Sequence, residues 1–482
     1  MEFLDVESSL SCRMNLIKVC ALCLFLSILI RAGTSFAQTP ILFGLTSEGG
    51  INNQGTIIKI NGDGSAFSVV HLFEQTTGFH PVGSVVKINS MLYGITAHGG
   101  LNNAGTLFSF DPQTNLYTVL YDFNGPTGTF ALFDNFPSLL SRIDGKLYGA
   151  APNGGDYNLG VIFSFEVTSG IYTVLYSFNP FYSGSPYGSV IDPNDSGKLF
   201  GLVYSNLPQL YSYDINSSTY GTEYDMPGIC ETGIGSMMKL GNKLYGVGGQ
   251  ICPFIFSYDL DVDTLVHLYE FSVATDGGTP TGRLTLFDSQ LFGTADGNGV
   301  TSRGVIFKTD TLGNFSKLFD FPMYLPDSTS GEKPLDLMLA ANGQLYGMTH
   351  RGGLNDYGVI YTFDPITNQY QKLHDFAGVD GMSPIGGLTE IDSTVGVKEI
   401  NHINFSIYPN PVISQFSLIM FSPLYEQSLI VIRDIFGREL KKIQLARQAT
   451  HMMIDGSEFS AGVYFLTLEN INGTLTYRFV KQ

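Results

Sequence analysis

Short runs of alternating apolar and aromatic residues, separated by polar turns rich in glycine, asparagine and aspartate, organise the chain from residue 41 to residue 388. Alternation of this kind suits pleated, partly buried strands, and no helical periodicity interrupts it. One order of parts recurs. A Pro-x-Gly segment, as in Pro81-Val82-Gly83, Pro186-Tyr187-Gly188, Pro280-Thr281-Gly282 and Pro384-Ile385-Gly386, precedes an apolar stretch and a polar turn such as Leu240-Gly241-Asn242-Lys243. A Leu-(Tyr/Phe)-Gly strand comes next. A Gly-Gly-x-Asn turn then leads into Gly-x-(Ile/Leu)-(Phe/Tyr), and a last strand ends on an aromatic, as in Val119-Leu120-Tyr121-Asp122-Phe123. Each repeat thus predicts four strands, with glycines at turns of positive φ and at close contacts between units.

The Leu-(Tyr/Phe)-Gly triplet occurs seven times, at Leu42-Phe43-Gly44, Leu92-Tyr93-Gly94, Leu147-Tyr148-Gly149, Leu199-Phe200-Gly201, Leu244-Tyr245-Gly246, Leu291-Phe292-Gly293 and Leu345-Tyr346-Gly347. Steps of 50, 55, 52, 45, 47 and 54 residues fit one four-stranded propeller blade per repeat and are too long for most helical repeats. The predicted fold is all-β: a seven-bladed β-propeller over residues 38–392, then a linker over 393–404 and a small Ig-like β-sandwich over 405–482. The first repeat begins at Ile41 without a Pro-x-Gly strand, while the array ends on an extra one, Pro384-Ile385-Gly386-Gly387-Leu388. That last strand is expected to complete the first blade, removing the exposed sheet edges of an open array. An open solenoid is the alternative. The fourth repeat is degenerate, with Val203-Tyr204-Ser205-Asn206 in place of the paired glycines.

The segment Leu92 to Phe108, Leu-Tyr-Gly-x-Thr-x-x-Gly-Gly-x-Asn-x-x-Gly-Thr-Leu-Phe, resembles the GloVer tandem repeat of secreted bacterial proteins, and the likeness covers about three quarters of the chain. That resemblance implies no particular activity. The paired glycines after a strand are kelch-like, but the chain contains no tryptophan, so the kelch and WD-repeat tryptophans and the Asp boxes of sialidases are all missing.

Both ends point to export. Lys18 precedes an apolar run from Val19 to Ile30, and Ser35-Phe36-Ala37 is a small-x-small cleavage site, so residues 1–37 read as a secretory signal peptide, with Met14 a more natural start than Met1. The apolar run is too short to span a membrane, and no transmembrane segment is expected in the mature chain. Of five cysteines only Cys230 and Cys252 fall in the mature chain, flanking a hairpin that turns at Gly241-Asn242. In an oxidising compartment a disulfide between them is expected, two buried thiols being the alternative. At the C-terminus, Tyr408-Pro409-Asn410-Pro411, Asp434-Ile435-Phe436-Gly437-Arg438 and Gly462-Val463-Tyr464 follow in order, and the chain ends on Lys481-Gln482. Short strands with Gly and Asn turns suggest the sandwich. The three motifs resemble the type A C-terminal sorting domain of type IX secretion. This resemblance implies as partners the type IX machinery and a sortase-like protease, removal of the domain just before Phe405, and release or attachment at the outer surface of a Gram-negative cell. An accessory sugar-binding sandwich is the alternative.

A formal charge of −18 argues against electrostatic binding to nucleic acid. With 44% hydrophobic and 14% charged residues the chain can bury a large core. No His-Glu-x-x-His, Gly-x-Ser-x-Gly or P-loop pattern occurs, and no cofactor or metal site is expected. Asp259, Asp261 and Asp263 alternate like a calcium loop, but Thr264 stands where an EF-hand needs glycine, so a hairpin turn is expected. His98 and His350 occupy neighbouring contexts in different repeats. The residue four after the triplet glycine varies while the paired glycines persist: Glu48, His98, Asn153 and Arg351, with Asp296 one position early. Equivalent repeat positions share one face of a propeller, so these five side chains predict an uneven polar rim and a binding site. The leading functional expectation is a non-catalytic module for a glycan or surface protein. A polysaccharide hydrolase or lyase is the runner-up, requiring an acid-base cluster that breaks the repeat symmetry, and a purely structural surface protein is the third.

Overall fold

The computed structural model describes residues 39–391 and 405–481, apart from 131–140, 181–184, 193–196, 205–208, 226–235, 250–251, 298–302, 323–329, 409–411, 421–427, 435–437, 446–450 and a few single or paired positions. Among the described residues, seven sheets succeed one another before residue 392. In the first, the strand order is Met382–Ile391, Ile41–Glu48, Thr56–Asn61, Ser68–Leu72. The last strand of the array therefore does pair with the first, antiparallel, with Thr46 opposite Pro384 and Ile41 opposite Ile391. The other sheets occupy 79–122, 141–177, 185–225, 238–270, 279–320 and 332–375, each in plain antiparallel order except that the innermost strand of the sixth is split in two.

Apolar clusters join each sheet to the next. A seventh cluster returns from the last to the first, where Tyr346, Met348 and Ile360 pack with Leu42, Ile58 and Ile60. The order of sheets and clusters is thus cyclic among the described residues. Burial of each large side chain in such a cluster contributes about 1.5–3 kcal/mol.

The repeat signature is explained by contacts between neighbouring sheets. The glycine of Gly-x-(Ile/Leu)-(Phe/Tyr) lies under the proline of the next Pro-x-Gly strand: a Cβ on Gly358, where φ is +94°, would sit 2.7 Å from Pro384 Cδ. The residue before that proline donates its N–H across the same junction, His80 to Gln54 O, Lys333 to Arg303 O and Ser383 to Tyr357 O, at 2.8–3.1 Å. To do so, His80, Lys333 and Ser383 adopt φ of 50°, 56° and 51°, a left-handed conformation that is uncommon for residues with a side chain. In the paired-glycine turns, the N–H of Gly99 reaches Asn103 Oδ1 and that of Gly352 reaches Asp356 Oδ1. Asp122 and Asp375, one before the terminal aromatic of their strands, accept the N–H of Leu101 and Leu354.

The outermost strands carry two ring-bearing positions four residues apart, and these stack across the junctions. His71 lies on Tyr117, Tyr121 on Tyr172, Tyr176 on Tyr220, Tyr269 on Phe315, Phe319 on Tyr370 and His374 on Phe67, with ring centroids 3.6–4.5 Å apart. At the junction of the fourth and fifth sheets Leu265 takes the place of one ring and packs with Tyr224.

The C-terminal domain has two sheets, one built from Phe405–Tyr408, Gln415–Met420 and His451–Asp455 and the other from Glu439–Leu445, Ser428–Asp434, Gly462–Asn470 and Gly473–Lys481. Phe416, Leu418 and Ile454 of the first meet Ile430, Ile432, Leu466 and Leu468 of the second in one core. This is a small β-sandwich.

Candidate functional site

Because the glycines, prolines and capping residues of the repeat hold the ring together, function is sought where repeat positions depart from the pattern. Five such positions were expected to form a rim. Glu48, His98 and Asp296 are half-buried and Arg351 is exposed, each at the end of its strand; paired glycines follow Glu48, His98 and Arg351, and the single Gly297 follows Asp296. Asn153 differs. It is 7% exposed, its Nδ2 is buried with no hydrogen-bond partner, and its backbone pairs with Thr129.

The structure brings Asp296 and Arg351 together with two residues outside the expected set, Lys333 and His350. Asp296 and His350 occupy the same repeat position in the sixth and seventh sheets, where the first and second carry Ser47 and Ala97. Glu332 pairs with Arg351 and Pro334 with Thr349, which sets Lys333 opposite His350. The Nδ1 of His350 lies 3.1 Å from the carbonyl oxygen of Pro384 in the first sheet. Ser47 Oγ donates to Ser383 O at 2.9 Å, and Ser383 Oγ lies 3.4 Å from Glu48 Oε2. A continuous line of polar groups therefore crosses the inner ends of the sixth, seventh and first sheets. His98 belongs to a separate group in the second sheet, stacked on Phe79 and edge-on to His80.

Charges in this line are tuned. Burial raises the Asp296 carboxyl above its ordinary value, against the opposing pull of Lys333, a backbone N–H from Thr279, and His350. Burial lowers His350, as do the charges of Arg351 and Lys333, although the Pro384 carbonyl and Glu48 act the other way. His350 is therefore neutral at physiological pH. Arg303 is paired with Glu332; Lys333 and Arg351 enter no ion pair among the described residues.

In the same strand as Lys333, Asp336 stands where Gly83 and Gly386 stand in their Pro-x-Gly strands. It is 3% exposed; its Oδ1 accepts the N–H of Arg283 at 2.7 Å, while Oδ2 is sealed without a partner. Burial raises its pKa, with Arg283 opposing. Sequence reading passed over Lys333 and Asp336, yet a signal existed: Lys333-Pro334-Leu335-Asp336 is a Pro-x-Gly segment whose glycine has become a carboxylate.

Of the other expected residues, Asp259–Asp263 form the turn between Phe254–Asp259 and Thr264–Glu270, with Asp261 N–H on Asp259 Oδ1. No group of three or more metal-ligating side chains occurs among the described residues. In the sandwich, Arg438 closes its turn through Nε and N–H to Asp434 at 3.1 and 3.0 Å. Tyr464 packs against Phe459 and donates to Ser460 O at 2.7 Å. Gly462 begins and Lys481 ends the last strand pair, and Tyr408 ends the strand Phe405–Tyr408. Residues 1–37 including Met14, the linker 393–404, Pro409, Asn410, Pro411, Gly437 and Cys230 lie outside the described residues. Among those described, no helix is long and apolar enough to cross a membrane.

Cyclic repeat sheets followed by a separate small sandwich define the class, a tandem-repeat β-propeller with a C-terminal secretion module. The chain belongs to the Gloeobacter/Verrucomicrobia repeat family, whose model matches residues 36–252 and 235–399. Residues 406–482 match the secretion system C-terminal sorting domain. The protein is therefore exported by type IX secretion and is located at the cell surface or outside the cell. No curated protein matches by sequence. Similar solved structures include the periplasmic gluconolactonase of Pseudomonas aeruginosa, 16% identical, with TM-score 0.49 and coverage of 73% of this chain and 100% of that one. Another is a provisional 6-phosphogluconolactonase of Bacteroides fragilis, 14% identical, with TM-score 0.49 and coverage of 73% and 98%. At this level of similarity neither carries an argument about the activity of this chain.

Proposed function

We propose that the mature protein is a seven-bladed propeller displayed at or released from the cell surface, binding a surface glycan or protein through the polar line of Glu48, Asp296, Lys333, His350 and Arg351. One observation carries this reading: ionisable groups that break the repeat are concentrated at adjacent ends of three sheets, on a scaffold whose repeated residues are spent on structure. His98, in a separate group of the second sheet, and the buried Asn153 of the third are left out of this reading. In this reading residues 1–37 direct passage across the inner membrane, and a sortase-like protease removes the sorting domain within the linker before Phe405. The disulfide-bonded state of Cys252 supports a bond to Cys230.

A second reading, an enzyme acting on polysaccharide, is favoured by the pairing of a neutral imidazole with a carboxyl of raised pKa in one cluster, which a simple binding rim does not need. Retention of the purified chain on a panel of polysaccharides, with release of soluble fragments recorded alongside, tests both. Retention abolished by Lys333→Gln with Arg351→Gln supports the site; retention unaffected by them refutes it.

A further inference from the structure

We infer that Asp296, Lys333, His350 and Arg351 form a site for β-elimination on a uronate-bearing polysaccharide, with His350 as base and Asp296 as acid. This rests on the reading of the polar line as the ligand site, and adds to it a substrate class and a reaction.

The geometry of His350 selects its role. Its Nδ1 faces the Pro384 carbonyl at 3.1 Å, and a carbonyl only accepts, so the ring proton resides on Nδ1. The lone pair is left on Nε2, which has no partner among the described residues and is not sealed from solvent. A neutral imidazole with a free Nε2, flanked by two cations, is arranged to take a proton rather than to give one. Lys333 lies opposite His350 across the strand pair and Arg351 follows it in the chain. A uronate carboxylate held by these two cations has its charge offset, which acidifies the neighbouring C5–H. The strained backbone of Lys333, φ 56° before a proline, fixes where its side chain leaves the inner strand. Asp296 comes from the equivalent position of the preceding sheet, within the field of both Lys333 and His350. Buried there, it keeps its proton to higher pH than an ordinary carboxyl.

The step balances without any co-reactant. Nε2 of His350 takes the C5 proton; the electrons of that C–H bond form the C4=C5 double bond; the C4–O bond breaks, and its oxygen leaves with the proton of Asp296. One chain becomes two, one of them ending in an unsaturated uronate. Proton return from His350 to Asp296 through solvent resets the site.

The full-length chain would be incubated with polygalacturonate, with alginate, and with carboxyl-reduced forms of each, following retention on the polymer and the ultraviolet absorbance of the conjugated double bond. The expected result is an absorbance increase on an acidic polymer and none on its reduced form. His350→Gln should lower the rate by about 10²-fold or more while retention stays within about twofold, and Lys333→Gln should weaken retention itself. Retention without absorbance overturns the elimination and leaves the binding site standing. Fragments that lack the absorbance mean hydrolysis and also overturn it, and absence of both retention and product overturns the site reading as well. Thermal unfolding of each variant separates loss of the fold from loss of chemistry.

Discussion

At single positions the ring exposes its tolerances. Gly358→Ala places a methyl group against both Pro384 and the Thr349 carbonyl at a φ of +94°, so a loss of about 1–3 kcal/mol is expected, read as a lower urea midpoint. His71 lies face to face with Tyr117 and edge-on to Phe73; its Nε2 is buried without a partner, and burial pushes its pKa down to about 4 from 6.5. A histidine depressed in the folded state is neutral there while the unfolded chain still binds a proton. Its contribution is therefore intact above pH 6.5 and is lost as pH falls toward 4. His71→Phe should flatten the pH dependence of thermal unfolding in that window, and an unchanged slope would refute the assignment. For Asp296, raised by burial, the sign is reversed: the fold favours the protonated form, so its contribution is intact in acid and is lost as pH rises through the carboxylate range. Asp296→Asn should keep or raise stability at pH 7, with the difference vanishing in acid, even as it removes function; a clear loss of stability at pH 7 would mark a structural residue instead.

Between elements, the stacked rings of the outermost strands join neighbouring sheets. A double-mutant cycle on Phe319 and Tyr370, whose rings are 4.5 Å apart and 4° from parallel, should give a coupling of about 0.5–1.5 kcal/mol. The same cycle on Tyr224 and Leu265 should give less, because one ring is missing there. Strand order, ring closure and the sandwich were legible in the chain because period-two alternation and repeated Pro-x-Gly segments report local geometry directly. The candidate site was legible only in part. Asp296 and Arg351 stood out because they are charged residues that follow a fixed triplet pattern, Arg351 beside paired glycines and Asp296 beside Gly297. Lys333 and Asp336 sit in a segment, Lys333-Pro334-Leu335-Asp336, whose glycine is replaced, so it did not register as a repeat element. Asn153 was misleading for the opposite reason: sequence spacing gives the position in the repeat but not which way a side chain turns, and the loop bearing Thr129 covers it. The neutral tautomer of His350 depends on a carbonyl 34 residues away in the first sheet, a contact that exists only once the ring has closed.

For the whole molecule, closure by Met382–Ile391 makes the array cooperative. A chain ending at residue 380 would leave Ile41–Glu48 as an open edge, and it should unfold at lower denaturant and aggregate; equal stability would argue for an open array. The overall charge of −18 repels acidic polymers, so capture of one must come from the local cations of the seventh sheet and should weaken as salt rises. The most direct measurement compares retention on acidic polysaccharide by the full-length chain, by Lys333→Gln with Arg351→Gln, and by a control of equal charge, Lys146→Gln with Lys239→Gln, in the third and fifth sheets. At least a tenfold loss for the first variant, with the control matching the unaltered chain, is the predicted result. Equal behaviour of the two variants would contradict a site localised where the repeat is broken.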